Sequence, residues 1–305
     1  AWTPPPSPST AGMAVRGALG SARRAARLAG VAAHAAVAPG ALPGAAGNVA
    51  RALGRPAVPS ALNRPLSAHR VLGETEVDLA ATRQLARETG VKVNDVVLAA
   101  ASMALSRWSQ RRGVPSRRLK AMVPVNVRGD GDGPLGNRIS FLFVELPPGV
   151  GSALDVLAAV HDRTRRGKEA SHPGLVDAAL DVLGGLPGPA RGVAAKLMAR
   201  PEAFNLVVSN VPGPDVPLYA LGRRLRTIHP AVPLAERHGL SIGVLSYAGR
   251  LHAGLYADPA TVGDVDDLAE DLATAFRALL TTVEHARETP APRPSRPEPD
   301  RLAAR

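Results

Sequence analysis

The longest unbroken helical signal in the chain runs from Val93 to Trp108. Val93, Val96, Val97, Ala100, Ala101, Ala104, Leu105 and Trp108 recur at the three-and-four spacing that places them on one face. This predicts a buried helix. Asn94 and Asp95 stand at its start, where side-chain oxygens can accept from unpaired backbone N–H groups and negative charge suits the helix dipole. A shorter periodic stretch, AATRQLARETG, closes at Gly90, the residue type that ends helices in a left-handed conformation. Leu154 to Lys168 reads as an amphipathic helix with a basic end. Val265, Leu268, Leu272, Phe276, Leu279 and Val283 mark one face of a final helix. Leu175 to Ala199 is helical in pattern but interrupted by GGLPGPARG.

Apolar runs and alternation mark the strands: HRVLGETEVDL, LKAMVPVNVR, RISFLFVELP, Phe204 to Ser209, GLSIGVLSY and LHAGLYAD. The last two are joined by AGR, which predicts a hairpin. The order is strand, two helices, two strands, two helices, several strands and a last helix. It shows neither regular βαβ alternation nor an internal repeat. The fold class is therefore α+β, with a mixed sheet covered by helices on one side. Three regions follow from the pattern. Residues 1–60 read as a basic Ala/Pro-rich linker, Pro/Ser-rich to residue 12 and then weakly helical. Residues 61–285 form the patterned domain, and 286–305 a disordered tail.

Composition sharpens this picture. Hydrophobic residues make up 45% of the 305, but aromatics only 3%, so the core must be built from Ala, Val and Leu. Small side chains fill space less specifically and leave room for a tunnel or cleft. The absence of cysteine excludes disulfides, thiolate zinc sites and cysteine nucleophiles. The net charge of +11 is concentrated at one end. No acid precedes Glu74, whereas Arg16, Arg23, Arg24, Arg27, Arg51, Arg55, Arg64 and Arg70 do. Such an arm suits an anionic membrane surface, or is a solvated linker. Nucleic acid is not expected as a partner, because the arm has a single aromatic, Trp2, and so no stacking platform. Leu28 to Ala50 is uncharged but broken by Pro39 and Pro43, so membrane contact should be peripheral. No signal-peptide pattern is present.

The residues alone define no catalytic constellation. None of the eight histidines has HxxxH or HExxH spacing, and no metal site is expected. No G-x-S-x-G elbow occurs. GDGDGPLG lacks the ending of a phosphate loop and the terminal Glu of a calcium loop, so it reads as a polar turn.

Six stretches in order do carry a resemblance: LNRPLSAHR, VKVNDVVLAAASMALSRW, AMVPVNVR, LGNRISFLFVELP, FNLVVSNVPGPDVPLYALG and GLSIGVLSYAGRLHAGLYAD. From about Leu62 to His285 the chain resembles the bacterial wax ester synthase/diacylglycerol acyltransferase family. The resemblance implies two chloramphenicol-acetyltransferase-like halves with an active-site channel between them, of which this chain is the second half with the linker before it. The HHxxxDG catalytic motif and the PLW motif belong to the first half, and neither occurs here. The implied reaction joins the acyl group of acyl-CoA to the hydroxyl of a diacylglycerol or long-chain alcohol. It needs a histidine base and preplaced oxyanion donors. Alone, this chain is expected to show little or no activity. Acyl-CoA is implied as co-substrate, with no bound cofactor. The implied partners are the lipid acceptor, the missing first half and an anionic membrane surface. The implied location is cytoplasmic, peripheral at the inner membrane or a lipid droplet.

Three motifs supply the candidate site. Asn94 and Asp95 match the family's ND pair and read as a helix cap. In LGNR, Gly136, Asn137 and Arg138 are candidates: Asn137 for a thioester or a strand carbonyl, Arg138 for a CoA phosphate or for solvent. Ser209 and Asn210 are expected to end a strand, with Pro212 and Gly213 building the turns that follow and shaping one channel wall. The alternative to an enzyme half is a non-catalytic lipid- or CoA-binding remnant. A polyketide-associated acyltransferase or condensation domain is disfavoured by SNVPGP and SYxG. An apolar face left without the first half would favour dimerisation or aggregation.

Overall fold

The computed structural model describes residues 9–15, 17–18, 55–114, 118–126, 139–170, 202–214 and 216–288. Its elements are β1 (Val71–Asp78), α1 (Leu79–Glu88), α2 (Val93–Arg111), β2 (Leu119–Asn126), β3 (Ile139–Leu146), α3 (Ala153–Ala170), β4 (Leu206–Val211), β5 (Tyr219–Ala220), β6 (Arg223–Arg224), β7 (Leu240–Tyr247), β8 (Arg250–Ala257) and α4 (Val265–Glu288). The interrupted helix expected over 175–199, the acid–glycine turn at 129–136 and most of the basic arm lie outside the described residues. Residues 10–15 are helical, so helix begins within the Pro/Ser-rich stretch expected to run to residue 12, and α4 runs three residues past the expected domain limit at 285.

Six strands form one sheet in the order β1-β8-β7-β4-β2-β3. β2 pairs parallel with β4 and β4 parallel with β7, while the flanking pairs are antiparallel. The sheet is therefore mixed, as expected. The β7–β8 hairpin closes at Ala248 and Gly249, both with positive φ (48° and 82°), as a two-residue turn that follows the strand twist requires.

Local signals explain the helix limits. Asp78 caps α1 by accepting from the Ala81 N–H at 2.7 Å, and Gly90 (φ 70°) closes it. α2 differs from expectation at its start. Its cap position is Lys92, and Asp95, inside the first turn, reaches back to accept from the Lys92 N–H at 3.1 Å. Asp95 thus satisfies the unpaired donor from the helix side.

The main core lies between the sheet and the helices. It is built largely from Ala, Val and Leu of α2, α4 and the central strands, with Trp108 and Phe276 as its large aromatics. A second, smaller cluster lies on the opposite face: Ala203, Phe204 and Val207, packed by Met122, Phe143, Val232 and Ala235. The connection from β4 to β7 crosses that face. Ser241 donates to the Val232 carbonyl at 2.5 Å, and Gly243 and Gly254 lie directly beneath Pro230. Parallel neighbours need a long crossover. Here the described part of the crossover is extended chain and a short hairpin rather than a helix.

Candidate functional site: the carboxyl ends of the parallel strands

β2, β4 and β7 run in the same direction, so all three finish at one edge of the sheet. In open sheets, ligand sites gather at such an edge. α2 runs the opposite way to β2: Trp108 and Ser109 near its end line a cavity with Leu119 at the start of β2. Its first turn, with Asn94 and Asp95, therefore lies toward the edge where the strands finish. The structure brings the ND pair and the Ser209–Gly213 stretch to the same end of the fold. Gly136, Asn137 and Arg138 lie outside the described residues.

Ser209 and Asn210 do not end their strand. β4 continues to Val211, and Ser209 and Asn210 stand opposite Gly243 and Val244 of β7. The reason is pairing: a parallel neighbour supplies backbone partners, so polar side chains need not terminate the strand. Alternation puts Asn210 on the helix side with Leu206 and Val208, and Ser209 on the opposite side with Val207. Pro212 has no N–H to continue the ladder. Gly213 then packs against β7, where its N–H donates to Ser246 Oγ at 3.0 Å. A Cβ at this position would overlap the Ser246 carbonyl oxygen and sit 2.8 Å from the Leu245 side chain.

Beyond Gly213 the chain leaves the body as an arm over 214–226. Tyr247 fastens its base. This buried tyrosine accepts from the Leu218 N–H at 2.9 Å and donates to the Leu225 carbonyl at 2.9 Å. The Leu225 N–H closes the loop onto the Leu218 carbonyl at 2.8 Å. Outside this clamp, β5 and β6 make a hairpin that turns at Leu221 (φ 51°) and Gly222 (φ 75°). Its apolar side chains face solvent: Tyr219 is 67% exposed and Leu221 fully so, with Val216 and Leu218 beside them. Arg223 and Arg224 form the return strand. The sequence pattern missed this hairpin, because two-residue strands show no alternation.

Single polar residues organise the packing, Asn205 at the starts of β2 and β4 and Asp95 in the first turn of α2. Asn205 is fully buried. Its Oδ1 accepts from the Lys120 N–H at 2.7 Å, and its Nδ2 donates to the Val58 carbonyl at 2.9 Å and to Asn63 Oδ1 at 2.8 Å. It joins the lead-in segment to β2 and β4. Asp95 holds His161 Nδ1 at 2.9 Å, linking the ND turn to α3, while its Oδ1 is buried without a hydrogen-bond partner. Among the described residues, no group of three or more His, Asp or Glu is arranged to hold a metal.

Two buried histidines make stability pH-dependent. His238 stacks on Phe204 with ring centroids 4.0 Å apart, and its ring nitrogens lie 2.7 and 3.0 Å from the Glu236 and Phe204 carbonyls. A neutral imidazole can donate to only one of them. Burial nevertheless outweighs both carbonyls and holds this imidazole below its ordinary pKa. Burial does the same to His252, against the opposing pull of the Tyr247 carbonyl. In the unfolded chain each ring titrates near about 6.5. The unfolded state thus binds more protons as pH falls below that value, and stability present above it is lost toward the folded pKa. The urea midpoint should fall between pH 7 and pH 5, and His238→Asn should flatten that slope. Equal midpoints across this range in the unsubstituted chain would contradict the account. Carboxylates act lower. Burial opposes ionisation of Asp258 and Asp264, but hydrogen bonds from Ser67 and Ala260, and from Trp108 and Arg112, hold both below the usual range. Their contribution is present above about pH 3.8 and disappears as pH falls through the folded pKa.

The solved structures define the class first. The chain superposes on the wax ester synthase/diacylglycerol acyltransferase from Marinobacter aquaeolei VT8 with TM-score 0.61 at 22% identity, covering 81% of this chain and 56% of that one. It also matches the nonribosomal peptide synthetase FmoA3 with TM-score 0.51 at 18% identity, over 77% of this chain and 24% of that one. The fold is the chloramphenicol-acetyltransferase-like α+β fold of these structures, a mixed six-stranded sheet with helices. Sequence profiles then place it more narrowly. The wax ester synthase/diacylglycerol acyltransferase catalytic domain matches residues 1–97, and the WS/DGAT C-terminal domain matches 135–280. The chain belongs to the wax ester synthase/diacylglycerol acyltransferase family. It is 34% identical to O-acyltransferase WSD of Acinetobacter baylyi over 65% of this chain and 43% of that protein. It is 32% identical to a putative diacylglycerol O-acyltransferase of Mycobacterium bovis over 75% and 51%, respectively. The chain thus spans about half the length of the curated relatives it matches. The two profiles do not follow the structural division. β1, α1 and the start of α2 fall in the first, β3 through most of α4 in the second, and one sheet joins them.

Proposed function

We propose that this chain forms the C-terminal half of an acyl-CoA-dependent O-acyltransferase that esterifies diacylglycerol or a long-chain alcohol. The observation that carries this reading is the pair of family matches, in order along the chain and joined by one continuous sheet. Family membership supports the reaction class, and the diacylglycerol in the name of the Mycobacterium relative supports that acceptor. Acyl-CoA is the co-substrate. The base that removes the acceptor's proton comes from a half bearing HHxxxDG, since no His-His pair occurs in these 305 residues. This half supplies one wall of the substrate channel, with the ND turn and the Ser209–Gly213 stretch at the strand ends. The assembly works at an anionic lipid surface, where its acceptor resides, with the arginine-rich lead-in as the attracting element.

The arm beyond Gly213 is the contact with that other half. It carries exposed Tyr219 and Leu221 and is strapped rigidly at its base by Tyr247. Aromatic and aliphatic anchors of this kind dominate interface energies. The experiment is co-purification with a separately produced HHxxxDG-bearing half. Tyr219→Asp with Leu221→Asp should leave the melting temperature unchanged, because both side chains are exposed, and should weaken association by about thirtyfold. Unchanged association would remove the arm from the interface, and no association in the unsubstituted pair would remove the two-half reading.

A further inference from the structure

A cavity of about 250 Å³ lies away from the strand-end edge, where the lead-in segment crosses the end of α2. Residues Pro59 to Leu62 form its roof. Trp108 and Ser109 form its floor, and Val114 and Leu119 its sides. None of these lining side chains is charged. Both roof and floor are fixed. Ser60 is bound twice to Asn63 Oδ1, at 3.1 and 3.0 Å, and the Leu62 carbonyl accepts from the Gly239 N–H at 2.7 Å. The Trp108 indole donates to Asp264 Oδ1 at 3.1 Å. Ser60 and Ser109 are the polar side chains of the lining, and the other six are apolar. A cavity with such walls is not closed by side-chain collapse, and a mainly apolar interior of this size favours apolar ligands.

Its shape narrows the choice of ligand. A smaller crevice of about 10 Å³ shares Ser109 and Leu119 with it and continues along α2 past Leu105 and Ser106 to Pro147. The polar groups of that extension are already engaged: Ser102 donates to the Pro147 carbonyl, and Ser106 accepts from the Gly149 N–H at 2.6 Å. A wide, mainly apolar chamber tapering into a thin cleft whose Ser102 and Ser106 are already bonded suits a flexible chain better than a fused ring. We propose that this cavity is a binding site for a linear alkyl chain, the hydrocarbon portion of a fatty acyl group or fatty alcohol. The choice of an alkyl ligand rests on the acyl-transfer reading, while the cavity does not.

Trp108 in the floor reports occupancy directly. The chain has only two tryptophans, so Trp2→Phe leaves Trp108 as the sole indole. Titration of that protein with 1-hexanol, 1-octanol and 1-decanol should give saturable changes in emission. Affinity should rise by about fourfold for each added methylene. Ala61→Phe and Val114→Phe fill the cavity from the roof and from the side, and each should abolish the response; a melting curve of each variant confirms its fold. Naphthalene should bind at least tenfold more weakly than decanol. The proposal is overturned by no saturable response, by no dependence on chain length, by a response that survives both filling variants, or by naphthalene binding as tightly as decanol. The titration needs neither acyl-CoA nor a second half. Binding can therefore fail while reconstituted ester formation succeeds, and the reverse outcome is equally readable.

Discussion

Replacing Asn205 with alanine is expected to destabilise the fold by roughly 3 kcal/mol, because a buried polar hub at the starts of β2 and β4 is lost. The substitution removes one acceptor and two donated bonds at a fully buried position. The Lys120 N–H and the Val58 carbonyl both lose their partner, and each buried orphan costs about 1–3 kcal/mol. Asn63 keeps Ser60 as a donor and is less affected. The consequence spreads because Asn205 joins three segments distant in sequence. The lead-in through Val58 and Asn63 loses its attachment to β2 and β4, and with it the roof over Trp108. Urea denaturation should show a midpoint lower by about 1 M or more, given slopes of about 1–3 kcal/mol/M. Asn205→Asp sharpens the test. It keeps an acceptor for the Lys120 N–H but turns a carboxylate oxygen toward the Val58 carbonyl and Asn63 Oδ1, so it should be no better than alanine. A loss below about 0.5 kcal/mol in Asn205→Ala would show that the lead-in is held by other contacts.

The second large effect is at Gly213. Gly213→Ala should release the arm without unfolding the sheet. The added Cβ meets the Ser246 carbonyl, which belongs to the β7 ladder and cannot move freely, as well as the Leu245 side chain. Overpacking against such neighbours costs about 1–3 kcal/mol. The arm offers the cheaper relief. Its attachments are the Gly213 N–H to Ser246 and the two bonds of the Tyr247 hydroxyl, all near its base. The expected result is a small change in melting temperature with faster amide exchange and proteolysis over 212–226. Tyr247→Phe should give the same regional signature with the backbone fit intact, because it removes the clamp alone. Protection of 212–226 equal to that of the unsubstituted chain in both variants would contradict the proposed strapping.

The sequence pattern located those elements whose evidence is local. α2 announces itself through nineteen residues of helical spacing, and the β7–β8 hairpin through alternation around AGR. The mixed sheet followed from element order. What escaped depends on neighbours far along the chain. Ser209 and Asn210 look like a strand end because their partner, β7, begins some thirty residues later. Asp95 looks like a cap because the pattern cannot show that the true cap position is Lys92. Asn205 sits beside an apolar run, where a polar residue suggests an edge rather than a buried hub. Tyr247 and His238 carry no spacing signal, since their partners are backbone groups of the arm and of β4's approach. Two of the three motifs, the ND turn and the Ser209–Gly213 stretch, come to one end of the fold, whereas Asn205, which fastens the lead-in, and Tyr247, which clamps the arm, belong to neither.

These placements give the site a division of labour. The ND turn, Gly213 and Tyr247 fix the shape of the strand-end edge and the projection of the arm, while Asn205 fastens the lead-in at the opposite end of β2 and β4. Proton transfer is left to a group on the facing half. On this account the pieces are separable in function, and the most direct measurement is ester formation from labelled acyl-CoA and diacylglycerol or hexadecanol. Three samples are needed: this chain, an HHxxxDG-bearing half, and the two together, with a fourth in which the second histidine of that motif is alanine. The account predicts labelled ester in the combined sample at a rate at least a hundredfold above either half alone, with the histidine variant returning to that background. A combined sample that associates but forms no ester from either acceptor, or this chain forming ester at the full rate by itself, would contradict it.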